Sequence, residues 1–305
     1  MRTTFMKEIG QFGLTCTSII FILASPALIL GPKSFASATL TILRGIIQPD
    51  TLSYYVHSET LSFSRMPEAR SVEFHQKLVA IELFPSILDS YFYSMSLLIG
   101  GFMMAIMLAS LAGLFIIRFP SYLKKVILSA IDVLESLPDV FFIFSIQLFV
   151  VWFYKQTGVE LALAYSTIDN QAIIVPLLTL SIVPGIYLLK MQLLLMKEEE
   201  EKDYALFAKS KGLSDAFISF HHLFKNTVME CLAHLPVIIL CLLTNLVVIE
   251  YLFHSNGIMR FIMGDQPASS RALMLILSMT PFFIIIKGSS RYRQRFYQTK
   301  GEGKE

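Results

Sequence analysis

Residues 87–117 read ILDSYFYSMSLLIGGFMMAIMLASLAGLFII, and this stretch limits the fold classes that the chain can adopt. Its one charged side chain is Asp89, near the start. An α-helix needs about 20 mostly apolar residues to cross the hydrocarbon of a bilayer, because each residue advances the helix by about 1.5 Å. The stretch is longer than one crossing, so we expect a membrane-spanning helix that tilts, bends or projects from the bilayer.

The composition of the whole chain agrees with this interpretation. Of its 305 residues, 54% are hydrophobic and 16% are charged, whereas soluble domains carry about 25% charged residues. So few charges could not cover the apolar surface of a soluble enzyme. The same figures exclude intrinsic disorder, collagen-like repeats and a disulfide-stapled secreted domain. The formal net charge of +2 gives no indication of nucleic-acid binding.

Five further apolar segments are predicted to span the membrane. Together with the first, the six predicted spans are residues 12–30, 87–117, 126–154, 173–196, 235–253 and 272–286. Lys and Arg concentrate at the N-terminus, after the second and fourth spans, and in the tail. The positive-inside rule therefore predicts that both termini are cytoplasmic. We predict an all-α polytopic protein of the cell membrane, with six transmembrane helices.

The spans divide the chain into four regions. These are a cytoplasmic N-terminus with the first span (1–31), an extracellular lobe (32–85), a five-helix core (86–287) with a cytoplasmic loop (197–234), and a basic cytoplasmic tail (288–305). For the first span an alternative remains open. Arg2 and Lys7 before the apolar run, with Ala36-Ser37-Ala38 after it, also fit a signal peptide with a cleavage site. Cleavage would leave the other five orientations unchanged.

The cytoplasmic loop is the most informative segment, and residues 197–217 read KEEEEKDYALFAKSKGLSDAF. Tyr204, Phe207, Ala208 and the aliphatic stem of Lys211 recur at helical spacing, which predicts one short amphipathic helix. Gly212 follows that helix and can take a left-handed conformation without strain. This pattern predicts a helix that ends at a glycine turn.

A second short helix is predicted after the turn. Ser214 would cap it, with Phe217, Ile218 and His221 on one side. A helix–glycine–helix hairpin between two spans suits docking of a soluble partner, although a loop that merely covers the spans has the same periodicity. The acidic run at residues 198–201 is interpreted as a solvated helix start, where carboxylates suit the helix dipole. Contact with basic residues of a partner is the alternative.

Three carboxylates stand out in the third predicted span. Asp132, Glu135 and Asp139 fall at i, i+3 and i+7, on one face of a continuous helix. Asp139 would then lie about 20 Å into a straight span, where an ionisable residue usually faces a cavity or the bundle interior. It is a candidate pathway carboxylate. For Asp132 and Glu135 we favour a place at the inner interface beside Lys124 and Lys125.

No residue pattern in the sequence predicts a metal site, a cofactor site or an ATP-binding site in this chain. Cys16, Cys231 and Cys241 have no metal-ligand spacing, and the histidines lack the acidic or thiolate neighbours of a metal site. We therefore predict no metal and no cofactor. The absence of a GxxxxGK[ST] motif means that ATP phosphates would have to be bound by another chain.

The loop resembles a known signature. Asp203-Tyr204-Ala205, residues 208–214 (AKSKGLS), His222 and Lys225-Asn226 are similar to the DYV…ARAKGLS…H…RN pattern of permease subunits of dipeptide/oligopeptide/nickel ABC importers. The signature contains the coupling helix and its glycine, which is Gly212 here. Leu206 and Phe207 depart from it at the first two positions of its EAA motif.

Other motifs follow in the family's order. Phe84-Pro85-Ser86-Ile87-Leu88 is similar to LPxTL, Leu137-Pro138 to IPSF, residues 250–258 to ExxF…PGLG, and Asp265-Gln266-Pro267 to DxP. The short N-terminus and long segment between the first two spans resemble the B-type partner of a permease pair. Asn256 in place of Pro and Asp139 in place of Ser depart from the pattern.

The resemblance implies functional residues and partners. The implied ATPase-coupling residues are Asp203, Tyr204, Ala208, Lys211, Gly212, Leu213 and Ser214, and the candidates for the translocation pathway are Asp139, Glu250 and Asp265. Implied partners are a second permease subunit, two cytoplasmic ATP-binding subunits and an extracytoplasmic substrate-binding protein that delivers peptides or nickel chelates. The chain itself would not be an enzyme.

Two other function classes are alternatives for a polytopic chain of this kind. An intramembrane enzyme would need paired catalytic groups at one depth, and Asp132 with Asp139, two turns apart on one helix, make a poor pair. A membrane scaffold or receptor could keep the permease fold without transport. The match to the coupling signature argues against both.

Overall fold

The computed structural model describes residues 2–66, 69–159, 162–163, 165–167, 170–213, 215–218 and 223–302. In this part of the chain there are twelve α-helices and one antiparallel hairpin. The helices are α1 (Arg2–Ala24), α2 (Pro32–Ile47), α3 (Ile87–Ile116), α4 (Ser121–Glu135), α5 (Asp139–Thr157), α6 (Ile174–Glu200), α7 (Asp203–Ser210), α8 (Asp215–Ile218), α9 (Phe224–Cys231), α10 (Leu235–Leu252), α11 (Ile258–Met263) and α12 (Ala268–Glu302). The strands are β1 (Ser53–Met66) and β2 (Ala69–Glu82).

Six helical segments in the described residues are long and apolar enough to cross a membrane. They are Met6–Leu30, Ile87–Ile116, Asp139–Thr157, Ile174–Glu200, Leu235–Leu252 and Ala268–Gln298. The predicted all-α, six-span polytopic fold is confirmed.

The third predicted span, residues 126–154, is two helices rather than one. α4 ends at Glu135 and α5 begins at Asp139, with Pro138 in extended conformation (φ −61°, ψ 142°) between them. The residue before a proline is disfavoured in the α region, which explains the break at Leu137. Asp132 and Glu135 therefore do not share a continuous helix with Asp139, and the prediction of one acidic face is wrong.

The sixth span is longer than predicted. α12 continues from Ala268 to Glu302, past residue 286 and into the segment expected to be a tail. Pro281 lies inside the helix. A proline removes one backbone hydrogen bond but does not stop a helix whose other residues support it.

One compact unit consists of Met1–Tyr93 and Gly257–Pro281. Ile20, Ala24, Ile42 and Ala272 form its buried cluster. The segment predicted as an extracellular lobe contains α2 and the β1–β2 hairpin, whose register runs from Ser53 opposite Glu82 to Met66 opposite Ala69. The hairpin was not predicted.

The base of the hairpin is held by one amide side chain. The backbone N–H of Tyr55 donates to Gln266 Oε1 at 2.7 Å, and Gln266 Nε2 donates to the Tyr55 carbonyl at 2.8 Å. Gln266 thus satisfies both polar groups of a β1 residue. The Tyr54 ring adds an edge contact to Phe261, with centroids 5.3 Å apart.

The other unit consists of Ser94–Asn256 and Phe282–Glu305. In it, small residues bring α3 close to α6. A Cβ added to Gly101 on α3 would lie 3.0 Å from Leu180, and a Cβ added to Gly185 on α6 would lie 3.8 Å from the Cα of Ala105. Such residues let helix backbones approach closely in membranes. α6 also contacts α4, α5, α9 and α10, so it is the central helix of this unit.

Candidate functional site

The acidic run at residues 198–201 lies at the C-terminal end of α6, so the prediction of a helix start is wrong. The helix dipole disfavours carboxylates at this end. Glu198 is exposed, but Glu199 is only 2% exposed. A buried carboxylate is costly unless it is hydrogen-bonded and paired. Glu199 therefore requires specific partners.

Those partners come from three elements. The Glu199 carboxylate accepts hydrogen bonds from Lys202 Nζ, from Tyr204 Oη at the start of α7, and from Asn226 Nδ2 on α9 at 3.1 Å. Asn226 Nδ2 also donates to Tyr204 Oη at 3.0 Å, and Lys202 Nζ lies 3.7 Å from Glu230. We call Glu199, Lys202, Tyr204 and Asn226 the Glu199 network. It fixes α7 and α9 to the end of α6.

The network changes the ionisation of its members. Burial raises the pKa of Tyr204 to about 12, and the hydrogen bond that Tyr204 donates to Glu199 adds to this effect. The hydrogen bond to Glu199 raises the pKa of Lys202. At neutral pH the tyrosine is thus neutral and the lysine charged, which are the states that donate to a carboxylate.

Hydrophobic packing completes the attachment of α7. Ala205 and Ala208 are buried in a cluster with Met196, Ile218 and Leu223. The amphipathic helix is confirmed, but its inner face differs from the predicted one. Phe207 is 61% exposed, and Lys211 Nζ lies 4.4 Å from the centre of its ring.

α7 ends in the glycine turn that the sequence predicts. Gly212 has φ +81°, its N–H donates to the Lys209 carbonyl at 2.9 Å, and the Leu213 N–H donates to the Ala208 carbonyl at 3.4 Å. This pair of bonds is a Schellman motif, which satisfies two carbonyls at a helix end. Glycine is favoured at the left-handed position.

Four large apolar side chains around this turn are exposed. They are Leu206 (53%), Phe207 (61%), Leu213 (40%) and Phe217 (47%) on α7, the turn and α8, and they lie among the exposed polar residues Lys209, Ser210 and Lys211. We call these four residues the α7 surface. Phe217 is thus exposed and Ile218 buried, contrary to the prediction that both lie on one side of the second helix. Ser214 and His221 lie outside the described residues.

The remaining predicted coupling residue, Asp203, is exposed in the first turn of α7. There its carboxylate suits the helix dipole. Of the predicted set, Tyr204 and Ala208 face inward and hold the helix, whereas Lys211, Gly212 and Leu213 are exposed. The first group attaches α7 to the protein, and the second lies on the surface.

Asp132 and Glu135 are paired with a lysine that the sequence analysis did not single out. Lys190 Nζ on α6 lies 2.8 Å from Asp132 and 2.5 Å from Glu135 on α4. The expected neighbour Lys124 instead lies 3.9 Å from Glu200. The triad joins α4 to α6.

The three pathway candidates lie in different settings. Asp139 is the first residue of α5 and partly exposed, so it lies at the start of a span rather than about 20 Å into it. Glu250 is fully buried near the end of α10, where Ser94 Oγ donates to its carboxylate at 2.5 Å. Asp265 is exposed between α11 and α12. Their role in a pathway stays a prediction.

The described residues contain no cluster of three or more His, Cys, Asp or Glu side chains that could hold a metal ion. His222 is outside this part of the chain, whereas His254 is exposed after α10. The three cysteines are free and half-buried.

The sequence did not predict that Glu199 and Asn226 pair, although both are now candidates for a functional role. Asn226 stood in the quoted signature, but nothing in the linear pattern linked it to a glutamate 27 residues earlier. A lysine three residues after Glu199 was the available signal, because i,i+3 charges can pair. Four consecutive glutamates hid which of them was buried.

Residues 101–292 match the model of the family described as "Binding-protein-dependent transport system inner membrane component". The match covers more than half of the chain and includes the Glu199 network, the Gly212 turn and the α7 surface. No curated protein matches the chain.

Proposed function

The chain belongs to the family of binding-protein-dependent transport system inner membrane components, and we propose that it is the B-type permease subunit of an importer of peptides or nickel chelates. It is an ABC importer permease and a multi-pass inner-membrane protein. Permeases of this family are transporters, which are not an enzyme class. The signature between Asp203 and Asn226 supports the peptide/nickel subtype.

The observation that carries the proposal is the α7 surface on an anchored helix. Large apolar groups such as Phe207 gain free energy when a partner covers them, about 25 cal/mol per Å² of apolar area. The helix that carries this surface, α7, is fixed to α6 and α9 through Glu199 and Asn226. A partner that binds the surface can thus move the end of the membrane helix α6 and, with it, the short helix α9.

The partner proposed for this surface is an ATP-binding subunit. Two such subunits would bind the α7 turns of this chain and of a second permease subunit. Their closure on ATP would pull α7, and the Glu199 network would transmit the displacement to α6. A substrate-binding protein would deliver the ligand from the opposite side.

The experiment replaces Phe207 by Ser and compares it with Tyr165→Ser. Both side chains are 61% exposed, and Tyr165 lies in the α5–α6 connection. We expect Phe207→Ser to reduce recovery of the ATP-binding subunits on pull-down and to reduce uptake, while Tyr165→Ser leaves both unchanged. Full recovery of the ATP-binding subunits by Phe207→Ser would contradict the proposal.

Orientation is tested by thiol labelling. In a variant lacking Cys16, Cys231 and Cys241, a cysteine replaces exposed Thr167 or exposed Ser210. With both termini cytoplasmic, an impermeant reagent added to intact cells labels the first position and not the second. The reverse pattern would invert the proposed topology.

The substrate class is tested through Asp139. An aspartate on the pathway favours cationic ligands, so Asp139→Asn should reduce uptake of nickel or cationic peptides more than of neutral peptides. Uptake of both is measured in the same vesicles. An equal loss for all substrates would indicate a structural role for Asp139.

A further inference from the structure

A cleft of about 410 Å³ lies beside the end of α3. Three basic side chains line it: Arg118 after α3, Lys124 on α4 and Lys209 on α7. Ser121 adds a hydroxyl at the start of α4, and no side chain in the described residues caps that helix end. Cations and a helix N-terminus both favour an anionic group. We call this space the cationic cleft.

A second cleft of about 180 Å³ adjoins the first. Its walls are mostly apolar, with Ile116 from α3, Leu128 from α4, and Leu193 and Met196 from α6. Two further lysines, Lys125 and Lys197, also line it, and the two clefts share Ile117, Ser121, Lys124 and Glu200. We call it the apolar cleft. A ligand that fills both must have an anionic part next to a hydrocarbon part.

The charge of the lining is strongly one-sided. Among the described residues of both linings, five side chains are basic and Glu200 alone is acidic. The Glu200 carboxylate lies 3.9 Å from Lys124 Nζ, and each side chain is about one-third exposed.

The clefts lie where two membrane helices end. Ile116 is the last residue of the α3 span and Glu200 is the last residue of the α6 span. These helices of 30 and 27 residues are about 40–45 Å long at 1.5 Å per residue, which is the thickness of a bilayer with its headgroups, so their ends lie at the level of the lipid headgroups. The occupant can therefore come directly from the bilayer.

We propose that the two clefts bind one anionic phospholipid. Its phosphate lies in the cationic cleft near Arg118 and Lys124, and the first part of an acyl chain lies in the apolar cleft against Leu193. Basic pockets between membrane helices have the chemistry that recognises acidic headgroups. Because Lys209 is on α7, a bound lipid also stabilises the position of that helix.

The experiment measures lipid retention. The purified chain is assembled in nanodiscs of equal parts phosphatidylcholine and phosphatidylglycerol, transferred to detergent, and analysed by native mass spectrometry for bound phosphatidylglycerol. Each basic residue near an anionic lipid surface contributes about fivefold to affinity, so Arg118→Gln/Lys124→Gln should bind about 25-fold more weakly. The matched control, Lys33→Gln/Lys155→Gln, removes two exposed cations elsewhere and should retain the lipid.

A second pair of measurements separates a lipid from a soluble anion. Leu193→Trp fills the apolar cleft and should reduce lipid retention, and inorganic phosphate should not displace the lipid. Displacement by phosphate, or undiminished retention in Leu193→Trp, would overturn the lipid assignment. So would unchanged retention in the Arg118/Lys124 variant, or an equal loss in the control.

Discussion

Two helices of this protein, α7 and α10, end in the same backbone motif with different residues. At the end of α7, Gly212 takes the left-handed position with φ +81°. At the end of α10, His254 takes it with φ +52°, and its N–H and that of Ser255 donate to the Tyr251 and Glu250 carbonyls at 3.3 and 3.1 Å. Both ends are Schellman motifs.

The surroundings of the two turns explain the different residues. His254 is exposed, but Phe253 before it and Ser255 after it are fully buried. The α7 turn is exposed from Lys211 to Leu213. A left-handed non-glycine residue persists only where its surroundings enforce the conformation. The α10 turn is therefore imposed by packing, whereas the α7 turn depends on glycine itself.

The largest loss of stability is expected from a change at Glu250, near the end of α10. Glu250→Ala removes a fully buried carboxylate that Ser94 contacts. A hydrogen bond to a charged group contributes about 1.5–3 kcal/mol, and the lost volume adds to the cost, so we expect a loss of about 3 kcal/mol. Thermal unfolding of the purified protein in detergent measures it.

Two variants serve as controls for Glu250→Ala. Tyr251→Ala changes the adjacent residue, which is 73% exposed, and should change stability little. Glu250→Gln keeps an acceptor for Ser94 and should recover most of the loss. If Glu250→Ala unfolds at the wild-type temperature, the contact between Ser94 and Glu250 does not stabilise the end of α10.

The second-largest loss of stability is expected in the Glu199 network, which holds α7, the helix before the Gly212 turn. Glu199→Gln removes the charge that Lys202 and Tyr204 contact. We expect a local loss of about 2 kcal/mol, because Lys202 is half exposed and water replaces part of its interaction. The rate of limited proteolysis within residues 201–234 measures how readily α7 detaches from the end of α6.

The matched control is Glu198→Gln, the same change one residue earlier on an exposed side chain. It should be cleaved like the wild type. Equal cleavage of the two variants would mean that burial of Glu199 does not secure α7.

The comparison shows what could be predicted from the sequence. The six spans follow from local composition, and Gly212 is predictable because an exposed left-handed turn needs glycine. His254 was not predictable, since its conformation depends on burial of its neighbours. The resemblance pointed to Gly257 nearby, yet Gly257 has an ordinary φ of −85°.

In the candidate site, too, residues of a local sequence pattern were predictable and pairs distant in the chain were not. The exposed residues around Gly212 belong to a local pattern, so the sequence located them. Glu199 pairs with Asn226 over 27 residues of the chain, Lys190 with Glu135 over 55, and Gln266 with Tyr55 over 211. Such pairs are set by tertiary packing, which one sequence does not encode as a periodicity. The hairpin base was missed for the same reason.

A smaller effect is expected at the α7 turn itself. A Cβ at Gly212 would meet nothing within 4 Å, so substitution costs only backbone strain. For valine this is about 1–2 kcal/mol, enough to open the exposed turn without unfolding the spans. We expect Gly212→Val to retain normal membrane abundance, speed hydrogen exchange at Leu213, and lose transport.

Two variants test whether the backbone conformation is the cause. Gly212→Asn should keep most transport, since asparagine tolerates the left-handed region. Gly288→Val, at another position open to a Cβ, should be neutral for transport because α12 is right-handed there. Full transport by Gly212→Val would show that the turn is not needed for coupling.

The smallest effect is expected from His254→Gly, which gives the α10 turn the residue that α7 uses. Glycine relieves a left-handed strain of about 1 kcal/mol, but it raises the entropy of the unfolded chain by about 0.5–1 kcal/mol. The two terms nearly cancel, so the unfolding temperature should change by at most a few degrees. The reciprocal change, Gly212→His, lacks buried neighbours to enforce the conformation and should speed exchange at Leu213. Equal tolerance of histidine at both turns would show that burial of Phe253 and Ser255 is not what holds His254 in the left-handed region.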